Sequence, residues 1–326
     1  MLFFHRKTKK KLWLLGGIDH NNLGDHCIQG AMSEFLNDII HNAHIQEIPI
    51  KEYYDRKEQL QKDIQKNDIL IFCGGGNLGN LWPRLENLRR DAFQTWPANP
   101  KIVFPQSVYF SHDEEGRADI EKSRKIYAGD QCVLALRDPV SYDLARQYFD
   151  CSMFLTPDIV MYMKVKRKTE KRNGVLLLLR SDKEAKLGAD DKEKIRSLAA
   201  EYDADVQSSD TVLKHGVKSD QRQGELDQLI QMISSRKLVI TDRLHGMVLS
   251  AITGTPCIVF SNGYHKIDAF MQWMEDLPYI RHVNDVEELA EILKTIDTDK
   301  EYVYPLKEKR QLFGEFREAV KTILDR

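Results

Sequence analysis

The sequence has no apolar run approaching the ~20 residues that a membrane-spanning helix needs. The apolar stretch that follows the basic N-terminus, Leu12 to Leu15, is also too short for the core of a signal peptide. Cysteine is scarce, five residues in 326, at positions 27, 73, 132, 151 and 257, and no two are spaced like a zinc site or a redox pair. Without an export signal this usage predicts a soluble protein of the reducing cytoplasm, with Cys73, Cys132 and Cys257 acting as small core residues. An excess of one charge is missing too. The 48 Lys and Arg against 50 Asp and Glu leave a net charge of -2, which argues against a general nucleic-acid binder. Arg6, Lys7, Lys9, Lys10 and Lys11 form the one basic concentration near the start. It reads as a solvated lead into the first strand, with a weak contact to anionic lipid surfaces as the alternative.

Familiar catalytic signatures are also absent. There is no G-x-x-x-x-G-K-[ST] phosphate loop, no H-E-x-x-H zinc helix and no G-x-S-x-G nucleophile elbow. Asp203-Ala204-Asp205 precedes a strand rather than following one and reads as a solvated turn, so nothing calls for a metal.

What the sequence does contain is alternation. Short apolar runs at 12–18, 45–50, 69–73, 102–108 and 133–136 are separated by amphipathic stretches of helical length at 25–40, 56–66, 83–95, 114–128 and 139–149. A basic run at 164–172 interrupts the pattern, and a second series follows. Its strands fall at 175–179, 206–208, 238–241, 257–260 and 279–283, and an amphipathic helix at 307–324 ends it. Such βαβα order implies parallel sheets covered by helices. The expected architecture is α/β, with two Rossmann-like doubly wound domains facing a cleft. Residues 1–163 form the first domain, 164–172 the linker and 173–326 the second, each burying its own core. In such sheets ligands bind outside the carboxyl ends of the strands, so the loops there are where chemistry belongs.

The most informative of those loops is Thr241-Asp242-Arg243-Leu244-His245-Gly246, which ends a strand and opens a helix. Thr241 or Asp242 is placed to cap that helix, and its first-turn N–H groups make an anion site. Arg243 is a cation at the wrong end of a helix dipole, a conflict that a bound anion removes. His245, two residues on, suits general-acid work if it gains a proton alongside an anionic substrate. The blander alternative pairs Arg243 with an acidic neighbour and His245 with a carbonyl.

Five further segments join it. Gly74-Gly75-Gly76-Asn77-Leu78-Gly79 contains G-x-G-x-x-G but follows the third strand, so a dinucleotide fingerprint is the poorer interpretation. A strand-end loop that lets a ligand approach bare backbone at Gly75, Gly76 and Asn77 is the better one, with a purely structural turn as its rival. Asp25, in Asn22-Leu23-Gly24-Asp25, is either an N-cap or a group that binds an acceptor hydroxyl. Arg137, ahead of Asp138-Pro139, offers a second cation or a surface pair with Asp138. Thr156-Pro157-Asp158 lines the cleft floor or caps a turn, and Lys266 is another cation in a strand-end loop.

Together these segments, with Tyr264-His265-Lys266-Ile267, resemble the polysaccharide pyruvyl transferase family, in family order from residue 22 to 267. The resemblance implies a fold like the GT-B glycosyltransferases. It also implies transfer of a pyruvyl group from phosphoenolpyruvate to two hydroxyls of a hexose as a ketal, with no further cofactor. It assigns phosphoenolpyruvate to Arg243, Leu244 and His245, with Arg137 the best match to an upstream arginine. The saccharide acceptor, free or lipid-linked, is expected against the first lobe near Asp25, in exopolysaccharide or cell-wall polymer synthesis. Two other functions remain open at this point: a GT-B glycosyltransferase using a nucleotide sugar, with Asp210 or Asp242 at its ribose, and a non-catalytic phosphoenolpyruvate-binding protein.

Overall fold

A computed structural model describes residues 10–41, 44–166, 171–182, 185–261 and 266–325. Most of the basic lead segment, residues 1–9, and residues 167–170 of the expected linker lie outside the described residues, as do Tyr264 and His265.

The chain builds two parallel sheets. The first contains β1 (Leu12–Gly17), β2 (Ile45–Pro49), β3 (Ile69–Phe72), β4 (Gly75–Gly79), β5 (Lys101–Tyr109), β6 (Ala128–Leu136) and β7 (Asp150–Leu155). Their order is β2-β1-β3-β5-β6-β7, with β4 pairing on the upper part of β5. The second contains β8 (Asn173–Leu178), β9 (Val206–Ser209), β10 (Arg236–Thr241), β11 (Cys257–Phe260) and β12 (Ile280–Val283), in the order β12-β11-β10-β8-β9. Unbroken apolar runs such as Ile69–Phe72 and Val175–Leu178 are buried on both faces, which is why they pair in parallel at the centres of sheets covered by helices. In each sheet the order reverses beside the first strand, β1 or β8, and the two reversal points open onto the same cleft.

Three expectations change. The glycine segment expected as a loop is strand β4: Gly75 pairs with Gln106 and Leu78 with Val108. Glycine-rich sequence carries almost no strand signal, and only pairing with β5 selects the extended form. The halves also do not bury wholly separate cores. One apolar cluster runs from Leu14, Ile71 and Phe104 of the first sheet, through Phe35, Leu226 and Met247 on helices, to Leu176 and Val239 of the second. A further cluster on the outer face of each sheet completes the layers.

The last helix, Gly314–Asp325, was expected to belong to the second series, but it lies on the first sheet. Its Phe316 packs against Phe35, Phe104 and Phe154 at ring separations of 5.5, 5.5 and 6.1 Å. Hydrogen bonds add to that crossing: Tyr304 donates to Met161 O at 2.8 Å and Trp273 Nε1 to Arg137 O at 2.9 Å. On the opposite side the loops after β1 and β9 join as a short antiparallel bridge, with Leu23 N donating to Thr211 O (2.8 Å) and Leu213 N to Asn21 O (2.9 Å). Arg222 reaches from the second lobe to both carboxylate oxygens of Glu47 at 2.9 Å.

Among the described residues no helix is long and apolar enough to cross a membrane. The cysteines are unpaired thiols, and Cys27, Cys73, Cys132 and Cys257 are buried.

Candidate functional site

The loops at the carboxyl ends of β1, β4, β6, β8, β9 and β10 surround a cavity of about 510 Å³ between the lobes. His20, Asn22, Asp25, Gly76, Asn77 and Arg137 line it from the first lobe; Arg180, Asp182, Thr211, Arg243, Leu244 and His245 line it from the second.

The second lobe supplies two arginines held against carboxylates. β10 ends at Thr241, and the helix Leu244–Ile252 begins three residues later, so Arg243 itself occupies the N-cap position with an extended backbone. Neither Thr241 nor Asp242 caps that helix. Thr241 Oγ1 accepts the Arg243 N–H at 3.0 Å and donates to Leu178 O at 2.7 Å, tying the end of β10 to that of β8. Asp242 Oδ1 accepts from Arg180 N at 2.8 Å, and burial raises the pKa of this carboxyl. Arg243 is 7% exposed; its Nη2 donates to Asp210 Oδ2 at 2.8 Å and its Nη1 to Asp182 Oδ2 at 3.2 Å. Its Nε lies 2.6 Å from Asp210 Oδ1, an ion-pair contact without hydrogen-bond alignment. Arg180 grips the same Asp182 with two hydrogen bonds of 2.9 and 3.1 Å. The conflict of a cation at a helix N-terminus is thus partly offset by Asp182 and Asp210, and the guanidinium plane is fixed before any ligand enters.

The first lobe supplies a buried ion pair. Arg137, 3% exposed, donates from Nη1 to Asp158 Oδ2 at 2.7 Å and from Nε to Ser107 Oγ at 2.8 Å. Its partner is therefore Asp158, not Asp138. The latter caps the helix Pro139–Tyr148 by accepting from Ser141 N at 2.8 Å. Asp158 also accepts from Val160 N at 3.0 Å and lies 3.6 Å from His245 Nε2, an ion-pair distance beyond hydrogen-bond range. Burial alone would raise the pKa of Asp158. The contacts with His245 and Arg137 outweigh it and hold the carboxyl well below the ordinary range. His245 Nε2 is buried facing that carboxylate with no hydrogen bond of its own.

Asp25 is not the cap of its helix. Asn22 is: its Oδ1 accepts from Gly24 N at 3.1 Å, while its Nδ2 donates to Asp25 Oδ2 at 2.9 Å. Asp25 stays at the cavity wall, 3.5 Å from His20 Nε2. Gly76 and Asn77 line the cavity, whereas Gly75 lies outside the lining, at φ +130° in β4. Asn77 Oδ1 accepts from the buried Arg89 Nη1 at 2.6 Å. Lys266 opens the helix Lys266–Phe270, but its side chain lies outside the described residues. The cavity thus brings together Arg243, Leu244, His245, Arg137, Asp25, Gly76 and Asn77, and lacks Gly75. Among the described residues no group of three or more His, Cys, Asp or Glu is placed to hold a metal.

A family profile described as polysaccharide pyruvyl transferase matches residues 22–264, a span containing all the cavity-lining residues named above except His20. The chain belongs to the polysaccharide pyruvyl transferase family. Among relatives, general stress protein 30 of Bacillus subtilis is 36% identical over 293 residues, which is 87% of this chain and 84% of that protein. Pyruvyl transferase 1 of Schizosaccharomyces pombe is 31% identical over 272 residues, 78% of this chain and 66% of that one. Among solved structures, a UDP-GlcNAc 2-epimerase of Methanocaldococcus jannaschii in complex with UDP-GlcNAc and UDP superposes with a TM-score of 0.54. The superposition covers 95% of this chain and 99% of that one at 12% identity, a likeness of fold alone. The fold of this chain is thus GT-B-like, with two parallel sheets.

Within this family member, sequence reasoning overlooked Arg180 and Asp182 and considered Asp210 only as a ribose ligand. The signal was available, because Arg180-Ser181-Asp182 follows β8 as Asp242-Arg243 follows β10. Trp82 and Arg84, on the cavity's first-lobe rim, were overlooked as well.

Proposed function

We propose that this family member transfers the pyruvyl group of phosphoenolpyruvate to two hydroxyls of a hexose as a ketal, releasing phosphate. The observation that carries this reading is the convergence of Arg137, Arg180, Arg243 and His245 on one cavity at a helix N-terminus. Phosphoenolpyruvate offers a carboxylate and a phosphate. Planar guanidinium groups and first-turn N–H donors match both.

In the proposed reaction His245 delivers a proton to the methylene carbon, making the central carbon electrophilic. A sugar hydroxyl attacks that carbon and gives up its proton, with Asp25 as the base on the cavity wall. The C–O bond to phosphate then breaks, and the second hydroxyl closes the ketal, its proton leaving with phosphate. The balance is closed: one proton gained by carbon, one carried off by phosphate, two hydroxyl protons supplied. The acceptor enters over Trp82, which is 42% exposed and shares the rim with Arg84. An exposed indole suits the apolar face of a pyranose, and Arg84 suits an anionic substituent or a lipid-linked phosphate.

Use of a nucleotide sugar is disfavoured because the two carboxylates considered for its ribose are engaged elsewhere. Asp210 is bound to Arg243, and Asp242, 1% exposed, is bound to the backbone of Arg180. The test follows phosphate released from phosphoenolpyruvate with a panel of hexosides and lipid-linked oligosaccharides. Release that requires an acceptor and disappears in His245→Ala is the expected result. Phosphoenolpyruvate binding without turnover on any acceptor, or turnover of a nucleotide sugar instead, contradicts it.

A further inference from the structure

His245 and Gly24 come from different lobes, yet the glycine lies directly against the imidazole. A Cβ built on Gly24 would stand 2.3 Å from His245 Nδ1, 2.8 Å from Cγ and 3.1 Å from Cβ. Because the contact extends back to the root of the side chain, turning the ring about its own axis does not relieve it. The three atoms nearest to such a Cβ all belong to His245. Gly24 sits in the first turn of the helix Leu23–Ile39 with no positive φ, so helix propensity alone favours alanine.

The rest of the ring's surroundings is equally fixed. Nε2 faces Asp158, which is held by Arg137 Nη1 (2.7 Å) and Val160 N (3.0 Å). The floor is fixed too: Asn22 Oδ1 takes the Gly24 N–H, and Leu23 N bonds across the lobe boundary to Thr211 O at 2.8 Å. We infer that Gly24 is a positioning residue, a bare patch of first-lobe backbone that seats the second lobe's imidazole against Asp158 and toward the cavity. Its catalytic consequence rests on the pyruvyl-transfer reading above; the seat itself is a packing claim that stands apart from it.

The experiment compares wild type, Gly24→Ala, His245→Ala and the double variant by thermal denaturation and by acceptor-dependent phosphate release. In the wild-type background Gly24→Ala is expected to lower Tm. In the His245→Ala background, where the ring is gone and only the Cβ contact at 3.1 Å remains, its Tm loss is expected to be much smaller. Its kcat is expected to fall about 100-fold, as for a reacting group displaced by about an ångström, while KM for phosphoenolpyruvate is unchanged. Equal Tm losses in both backgrounds, or a wild-type kcat in Gly24→Ala, overturn the proposal. Should the wild-type protein release no phosphate with any acceptor, the functional reading fails, while the four Tm values still decide whether Gly24 seats His245.

Discussion

The two lobes meet at one cavity but prepare their sides of it by different means. The second lobe sets charge against charge: Arg180 and Arg243 are clamped by Asp182 and Asp210 just beyond the ends of β8, β9 and β10. The first lobe presents a mixed wall, with the amides of Asn22 and Asn77 and the bare backbone of Gly76 beside His20, Asp25, Trp82 and Arg84, and the Arg137–Asp158 pair as its buried charge. In the proposed reaction the second lobe orients the anion, and the first receives the hydroxyls and holds the imidazole. The lobes share a core and are joined on both sides of the cleft, so the two preparations are locked in register.

That contrast can be broken from either side. The largest effect is expected from His245→Ala, where loss of a general acid lowers kcat by about 10²–10⁴-fold, read by phosphate release at saturating phosphoenolpyruvate. Asp158→Asn is expected next. It leaves Arg137 buried without its counter-charge and costs about 3–5 kcal/mol of stability, measured by denaturant unfolding at neutral pH. The sign of the pH dependence follows from the depressed pKa of Asp158. Its contribution is complete above the unfolded value of about 3.9 and is lost as pH falls through the folded one. Wild type therefore loses more stability than Asp158→Asn on acidification, and parallel pH profiles would contradict the pairing.

Arg243→Lys sharpens the comparison within the charged side. A lysine keeps the charge but not the planar fork, so phosphoenolpyruvate affinity is expected to weaken about 10–100-fold, read by calorimetric titration. The smallest effect tests the other side: Trp82→Ala is expected to raise KM for the acceptor about tenfold, the loss of roughly 1.4 kcal/mol, while phosphoenolpyruvate affinity stays unchanged. A change in phosphoenolpyruvate affinity instead would move Trp82 to the anion side.

The second lobe's half was the more legible in the sequence. Its central strands β8, β10 and β11 carry apolar runs followed by polar loops, so Arg243 and His245 could be placed from the rule that ligands gather at strand carboxyl ends. The same rule reaches Arg180 and Asp182, whose pairing with Arg243 depends on β8 and β10 being neighbours in space, a tertiary fact. The first lobe hid more. Three of the five residues of β4 are glycine, and β7 is a half-buried edge, so neither has the apolar signature of its neighbours. The cap at Asn22 rather than Asp25, and the partner of Arg137 twenty-one residues on, depend on side-chain geometry that spacing does not encode. The last helix showed its amphipathic pattern in the sequence, but nothing there told which lobe its apolar face would cover.

A crystal structure with phosphoenolpyruvate bound tests the central claim most directly. Its phosphate and carboxylate are expected within hydrogen-bond reach of Arg243, Arg137 and the first N–H groups of the helix Leu244–Ile252, with the methylene carbon turned toward His245. Density for the molecule outside that turn, or a methylene carbon facing away from the imidazole, would contradict it.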